Sequence, residues 1–195
     1  MRWTARWCNA GVPLIVFAAI ACGGGGSSPA APGATAAANV AGSTLTPNWN
    51  LRSGAFLDGD PIPKDHTCDG SDRSPHLVWD PAPPRTQSLA LLVHDPDAPG
   101  GDFTHWIVFN LSPTSRGMEP GQVPTGALQG KNESGKQGYS GPCPPKGPAH
   151  RYYFDLYALD QKLALDAGAT KVQLQQALAG HTVGQTQLMG KYTRA

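Results

Sequence analysis

From Trp49 onward the hydrophobic positions fall in short runs separated by Pro and Gly, a spacing that predicts β-structure rather than long helices. The clearest runs are HLVW (76–79), SLALLVH (88–94), HWIVFNL (105–111), RYYFDLYAL (151–159) and TQLMGKYT (186–193). The second and third lack polar alternation. A strand apolar on both faces must be covered on both, which places these two at the centre of a sheet. Helical spacing occurs in TKVQLQQALAG (170–180), where Leu174, Ala177 and Leu178 share a face. Thr170 with Gln173 three positions on forms a capping box there, and Gly180 supplies the stop. The pattern therefore predicts a mostly β domain over residues 49–195, with one or two short helices. The segment from Ser112 to Pro148 is rich in Gly, Pro, Ser and Lys, and irregular stretches of that length are uncommon unless they serve a function.

Upstream of Trp49 the pattern changes twice. Residues 1–22 carry two arginines in MRWTAR and then GVPLIVFAAIA, an apolar run too short to span a bilayer, which reads as an export signal. It ends AIAC, and small residues before Cys22 resemble a bacterial lipobox, whose cysteine is lipidated and becomes the mature N-terminus. Ala19 departs from that pattern, standing where Leu is usual, and a plain secretory signal is the other reading. Residues 23–48 begin GGGGSSPAAPGATAAANVAGST, uncharged and without aromatic side chains until its end, so they cannot bury a core and are expected to act as a tether. An exported lipoprotein held at a membrane by Cys22 is the resulting expectation for location.

Composition narrows the function classes. Charged residues make up 15% of the chain and the formal charge is +1, with no local Lys/Arg cluster, so nucleic acid is an unsuitable partner. The candidate chemistry lies where the two central runs meet, in HDPDAPGGDFTHW (94–106), which gathers His94, Asp95, Asp97, Asp102 and His105. A calcium loop fails here: counting from Asp95, Pro99 and Trp106 stand at two positions that need oxygen ligands. Zinc spacing is absent, so no metal is expected. Ser140 in GYSGP lacks the glycine placement of a nucleophile elbow and reads as a turn serine.

An anion pocket fits better. His150 and Tyr152 are two apart at the start of a strand and so leave it on one face, while His105 opens another strand, with Ile107 and Phe109 expected to follow on its face. Pro142, Pro144 and Pro145 stiffen the neighbouring GPCPP stretch, where Gly138, Gly141 and Gly147 allow close backbone approach. A carboxylate beside a histidine favours the imidazolium and makes it a double donor. The mixture of histidines, aspartates and a phenol would then take a phosphate carrying a proton, or a zwitterionic headgroup whose amine meets a carboxylate. DPDAP as a simple turn, with Asp capping backbone amides, is an equal alternative on these residues alone.

Several ordered motifs together, DPDAP (95–99), THW (104–106), GPCPPKG (141–147) and HRY (150–152), resemble the phosphatidylethanolamine-binding protein family, and within it the bacterial Raf kinase inhibitor-like branch. CDGSDRSPHLVW (68–79), YALD (157–160) and GKYTR (190–194) extend the resemblance over Leu51–Arg194. It implies a β-sandwich with short helices around a small pocket for phosphate or a phosphoethanolamine headgroup. By motif the ligand-binding residues are Asp95, Asp97, His105, Gly141, Pro142, Cys143, Pro144, Pro145, His150 and Tyr152. It implies no cofactor and no hydrolytic activity, and leaves room for a protein partner. Kinase regulation does not transfer to an exported chain whose motif carries a cysteine at 143.

Cys8 and Cys22 fall in the signal, leaving Cys68 and Cys143, an even pair that suggests one disulfide in an oxidising compartment. Three functions remain open: a non-enzymatic binder of phosphate-bearing or anionic small ligands, an exported inhibitor of a protease or kinase-like partner acting through surface loops, and, least supported, a hydrolase using His105 or His150 as base.

Overall fold

The computed structural model describes residues 46–194. The expected signal over 1–22, its lipidated Cys22 and the tether up to residue 45 lie outside them. Packing begins earlier than Trp49: the Thr46 amide donates to the Gln185 carbonyl and its hydroxyl accepts from the Gln185 amide, at 2.7 and 2.8 Å.

Eight strands and one helix follow in the order β1 (Leu51–Ser53), β2 (Leu77–Trp79), β3 (Ser88–Asp95), β4 (Phe103–Leu111), β5 (Gly117–Met118), β6 (Leu128–Gln129), β7 (His150–Leu159), α1 (Lys171–Leu178) and β8 (Thr182–Tyr192). They form two antiparallel sheets, β1-β2-β5 and β6-β4-β3-β7-β8. Both uninterrupted apolar runs are inner strands, with β3 in the middle of the larger sheet, as their lack of alternation requires. Leu89, Leu91, Val93, Trp106, Val108, Tyr152, Phe154 and Leu156 form one face of that sheet and meet Leu51, Leu77 and Trp79 of the smaller one. The other face buries Ala90, Leu92, Ile107, Phe109 and Leu159 against Leu174 and Leu178 of α1. The helix has the expected capping box at Thr170, and Gly180 adopts a positive φ of 79° after it.

The differences from expectation sit where periodicity is weak. Strands β1, β5 and β6 are two or three residues long, too short to show a period. The segment from Ser112 to Pro148 holds two of them and a bridge between Lys131 and Gln137, so it is less irregular than its composition implies. Strand β4 carries two register shifts against β3. At one, Asn110 takes a positive φ of 58° and its side-chain amide clamps the Leu163 backbone through bonds of 3.0 and 2.8 Å. The other concerns the site.

A disulfide joins Cys68 to Cys143 with Cα atoms 5.4 Å apart, closing a separation of 75 residues. By the chain-entropy relation such a loop contributes about 4 kcal/mol. Reduction under native conditions is therefore expected to lower the unfolding midpoint by about 10 °C, measured calorimetrically with and without reductant. A change under about 2 °C would mean that the cross-link adds little to stability.

Candidate ligand-binding site

Where β3, β4 and β7 end together, a hollow of about 380 Å³ opens on the face that packs against the smaller sheet. Asp95 reaches it because it follows Leu89, Leu91 and Val93 in alternation along β3, and His150 precedes Tyr152 and Phe154 in the same way on β7. His105 arrives by another route. Val93 pairs with Trp106 but His94 pairs with Thr104, so β4 has one residue too many and His105 has no partner opposite. This bulge turns its ring away from the side of Ile107 and Phe109, where simple alternation puts it. The ring instead lies edge-on to Tyr152, with centroids 5.2 Å apart.

All four groups are largely withdrawn from water: Tyr152 is 1% exposed, Asp95 3%, His105 5% and His150 8%. Asp95 is held by two donors. Its Oδ2 accepts from His150 Nδ1 at 2.7 Å and its Oδ1 from the Asp97 amide at 2.8 Å. His105 Nδ1 donates to the Ser140 carbonyl at 2.7 Å. Burial pushes the His105 imidazole below its ordinary pKa, against the weaker pulls of the Ser140 carbonyl and then of Asp95, Glu133 and Asp72. The ring is therefore neutral near pH 7, not the imidazolium that a neighbouring carboxylate leads one to expect. The Tyr152 hydroxyl is buried beside the Asp95 carboxylate, without a well-aligned bond to it. Burial and the Asp95 charge push its pKa up, so it stays a donor.

Gly141, Cys143, Pro144 and Pro145 form the rim as expected by motif. Gly141 is required by a close approach of backbone to backbone rather than to ligand: a Cβ there would stand 2.4 Å from the His66 carbonyl oxygen. Two proposed residues do not line the hollow. Pro142 is buried outside the lining, and its carbonyl accepts from the Cys68 amide at 3.1 Å. Asp97 grips Arg151 through bonds of 2.8 and 2.7 Å to the guanidinium and 2.9 Å to the backbone amide. The Arg151 guanidinium holds the Asp97 carboxyl down to about 2, so Asp97 ties the loop to β7 while Asp95 caps the turn's amide.

Asp72 was not foreseen. It lies in the CDGSD stretch with a positive φ of 53°, lines the hollow, and accepts from the Gly141 amide at 2.6 Å. The disulfide was its sequence signal, since a bridge from Cys68 to the rim brings the residues just after Cys68 alongside. Phe103, Ala98 and Pro99 complete an apolar side.

His94 and Asp102, neighbours of the site in sequence, lie on the far face of the sheet. His94 bonds to Asp102 at 2.6 Å and to Asp155 at 3.0 Å, Lys171 of α1 pairs with Asp102, and Gln187 donates to Asp155 at 2.7 Å. Burial opposes charge on His94, but the bonds to Asp155 and Asp102 outweigh it and raise its pKa. Burial likewise opposes the Asp102 charge, and Lys171 and His94 overcome it. The loop between β3 and β4 is thus tied at Asp97 and again at Asp102. Among the described residues no group of three or more His, Cys, Asp or Glu is placed to hold a metal ion, and no helix is long and apolar enough to cross a membrane.

A two-layer β domain with a small, partly polar hollow at the ends of its central strands is the architecture of a ligand-binding module. The family model described as phosphatidylethanolamine-binding protein matches residues 52–193, and the chain belongs to that family. It is 49% identical over 150 residues to a UPF0098 protein of Methanothermobacter thermautotrophicus, covering 74% of this chain and 99% of that one. To the Mycobacterium tuberculosis protein named "Putative lipoprotein LppC" it is 41% identical over 189 residues, 94% of each. Among solved structures, CT736 of Chlamydia trachomatis, described as a homolog of the family, superimposes with a TM-score of 0.72 at 43% identity, covering 75% of this chain and 98% of that one.

The raised pKa of His94 has a definite sign in stability. Its contribution is complete below the unfolded value of about 6.5 and is lost as pH rises through the higher folded value. Asp102 acts oppositely, its share being lost only as pH falls below about 4. The difference in midpoint between the native protein and His94→Gln is therefore expected to be about 5 °C at mildly acidic pH and to shrink on the alkaline side. A difference that grows with pH would contradict the cluster.

Proposed function

We propose that this protein binds a small phosphate-bearing or otherwise anionic ligand in the hollow between Asp95, His105, His150 and Tyr152, without catalysis. The observation that carries this is that three strands bring Asp95, His105, His150 and Tyr152 to one hollow, where burial and the neighbouring Asp95 carboxylate keep the Tyr152 phenol protonated. Binding rather than hydrolysis is favoured because His105 Nδ1 is bonded to the Ser140 carbonyl and the Ser140 hydroxyl oxygen accepts from Asn132 at 3.1 Å, so no serine–imidazole pair is formed there. The likeness to LppC along 94% of both chains supports the same reading of the N-terminus here. On that reading Cys22 carries the lipid and the domain faces the cell exterior or periplasm, where it meets soluble ligands, headgroups or a protein partner.

Titration of the protein with inorganic phosphate and with phosphoethanolamine, followed by phosphorus NMR, is expected to give saturable shifts. Tyr152→Phe removes one donor to a charged acceptor and is expected to weaken binding about tenfold or more. Absence of saturation with both ligands would contradict the proposal.

A further inference from the structure

On the helix side of the large sheet, the position of His94 imposes a proton requirement on its ring. Nδ1 lies 2.6 Å from Asp102 Oδ1, and Nε2 lies 3.0 Å from Asp155 Oδ2. Ionised carboxylates only accept, so both contacts are hydrogen bonds only while both ring nitrogens carry hydrogen. The arrangement therefore holds the imidazolium, and the raised pKa of His94 agrees with it. The ring is faced by Asp102 from the loop before β4 and by Tyr153 and Asp155 from β7. Behind the carboxylates stand Lys171 of α1 beside Asp102, and Gln187 of β8 and Tyr157 of β7 beside Asp155. Over the Tyr153 ring lies Arg151, whose charge Asp97 already meets. With His94 protonated, two cations balance the two carboxylates of the cluster.

Loss of one proton breaks this arrangement at a particular bond. A neutral imidazole keeps one hydrogen for two carboxylates. The Asp155 side chain is 7% exposed, so water cannot replace a lost donor there, whereas Asp102 is 41% exposed and keeps Lys171. A buried acceptor stripped of its donor costs more than an exposed one, so the hydrogen stays on Nε2 with Asp155. The bare Nδ1 then sets a lone pair against Asp102 Oδ1, and Asp102 moves off. Its release reaches the hollow through the chain. Ala98, Pro99 and Phe103 line the hollow, and the Phe103 ring, next in sequence to Asp102, lies against His105 with centroids 5.0 Å apart. Gly100 and Gly101, between the two anchors, stand in open space, so that stretch depends on Asp102 for its place.

We propose that His94 is a proton-operated latch: as the imidazolium it positions the β3–β4 loop as one wall of the hollow, and on losing a proton it frees Asp102 and loosens that wall. His94 is a positioning residue, since it lies on the far face of the sheet and acts through Asp102. The direction follows from its raised pKa. The wall is held below about 6.5, the unfolded value, and released as pH rises through the higher folded value. The effect on affinity rests on the reading that the hollow binds an anion; the motion of the loop does not.

Nitrogen-15 NMR of the protein from mildly acidic to alkaline pH tests the latch. The order parameters of the Gly100 and Gly101 amides are expected to fall from about 0.85 toward about 0.6, with the same midpoint as the His94 ring nitrogens. His94→Gln, which carries no titrating proton, is expected to show no such step. Inorganic phosphate is then titrated into the native protein and into His94→Gln at each pH. The ratio of the two affinities removes the titration of the ligand and of His105 and His150, which both proteins share. Native binding is expected to be about fivefold tighter at mildly acidic pH, with the ratio falling toward one on the alkaline side. A merely structural role for His94 gives a ratio independent of pH. That result, or glycine amides that stay ordered through the His94 titration, overturns the inference. If phosphate binds neither protein at any pH, the anion reading falls and the order parameters alone decide the latch. Should His94→Gln not fold, the native order parameters decide in the same way.

Discussion

The Asp95 carboxylate is the constraint on which the hollow depends. It accepts from His150 across the β3–β7 pairing and from the Asp97 amide within its own loop, and so joins strand, loop and facing strand at one buried point. A buried carboxylate is tolerated only where donors surround it. Those donors leave the His150 ring and the loop backbone little choice of position. Removing either partner would strand a charge in a space that offers no Lys or Arg to replace it.

The sheet separates two polar clusters that the sequence places side by side. Alternation along β3 sends Asp95 to the inter-sheet face and His94 to the helix face. The second cluster has no access to the hollow, yet it bears on it, because Asp102 holds the end of the loop that carries Ala98 and Pro99. With Asp97 clamped on Arg151 at the start, the loop is fixed at two points on β7 and α1. The disulfide and the Asp72–Gly141 bond do the same for the opposite rim. A site held from both sides before its ligand arrives gives up less ordering entropy on binding.

How far this was legible in sequence follows the strength of each local signal. Strands β3, β4 and β7 and helix α1 were plain, since long apolar runs and a complete capping box leave few alternatives. The residues His105, His150, Tyr152 and Asp95 were also named correctly as neighbours. The reason given for His105 was wrong, because one extra residue in β4 reverses the face that alternation assigns, and a bulge leaves no periodic trace. Asp97 shares a motif with lining residues but turns outward to hold Arg151, while Pro142 is buried beside the rim, its carbonyl accepting from the Cys68 amide. Asp72 was missed because its place depends on a cross-link spanning 75 residues, which no local pattern records. The charge state of His105 depends on burial and on the Ser140 carbonyl, both products of the fold.

The central claim is that His105 waits as a neutral acceptor with its proton on Nδ1. Long-range proton–nitrogen NMR correlation of the histidine rings reads this directly. The account predicts, in the free protein near pH 7, the shift pattern of a protonated Nδ1 and an unprotonated Nε2, with the Nε2 signal moving when phosphate is added. A ring protonated on Nε2, alone or on both nitrogens, would contradict it.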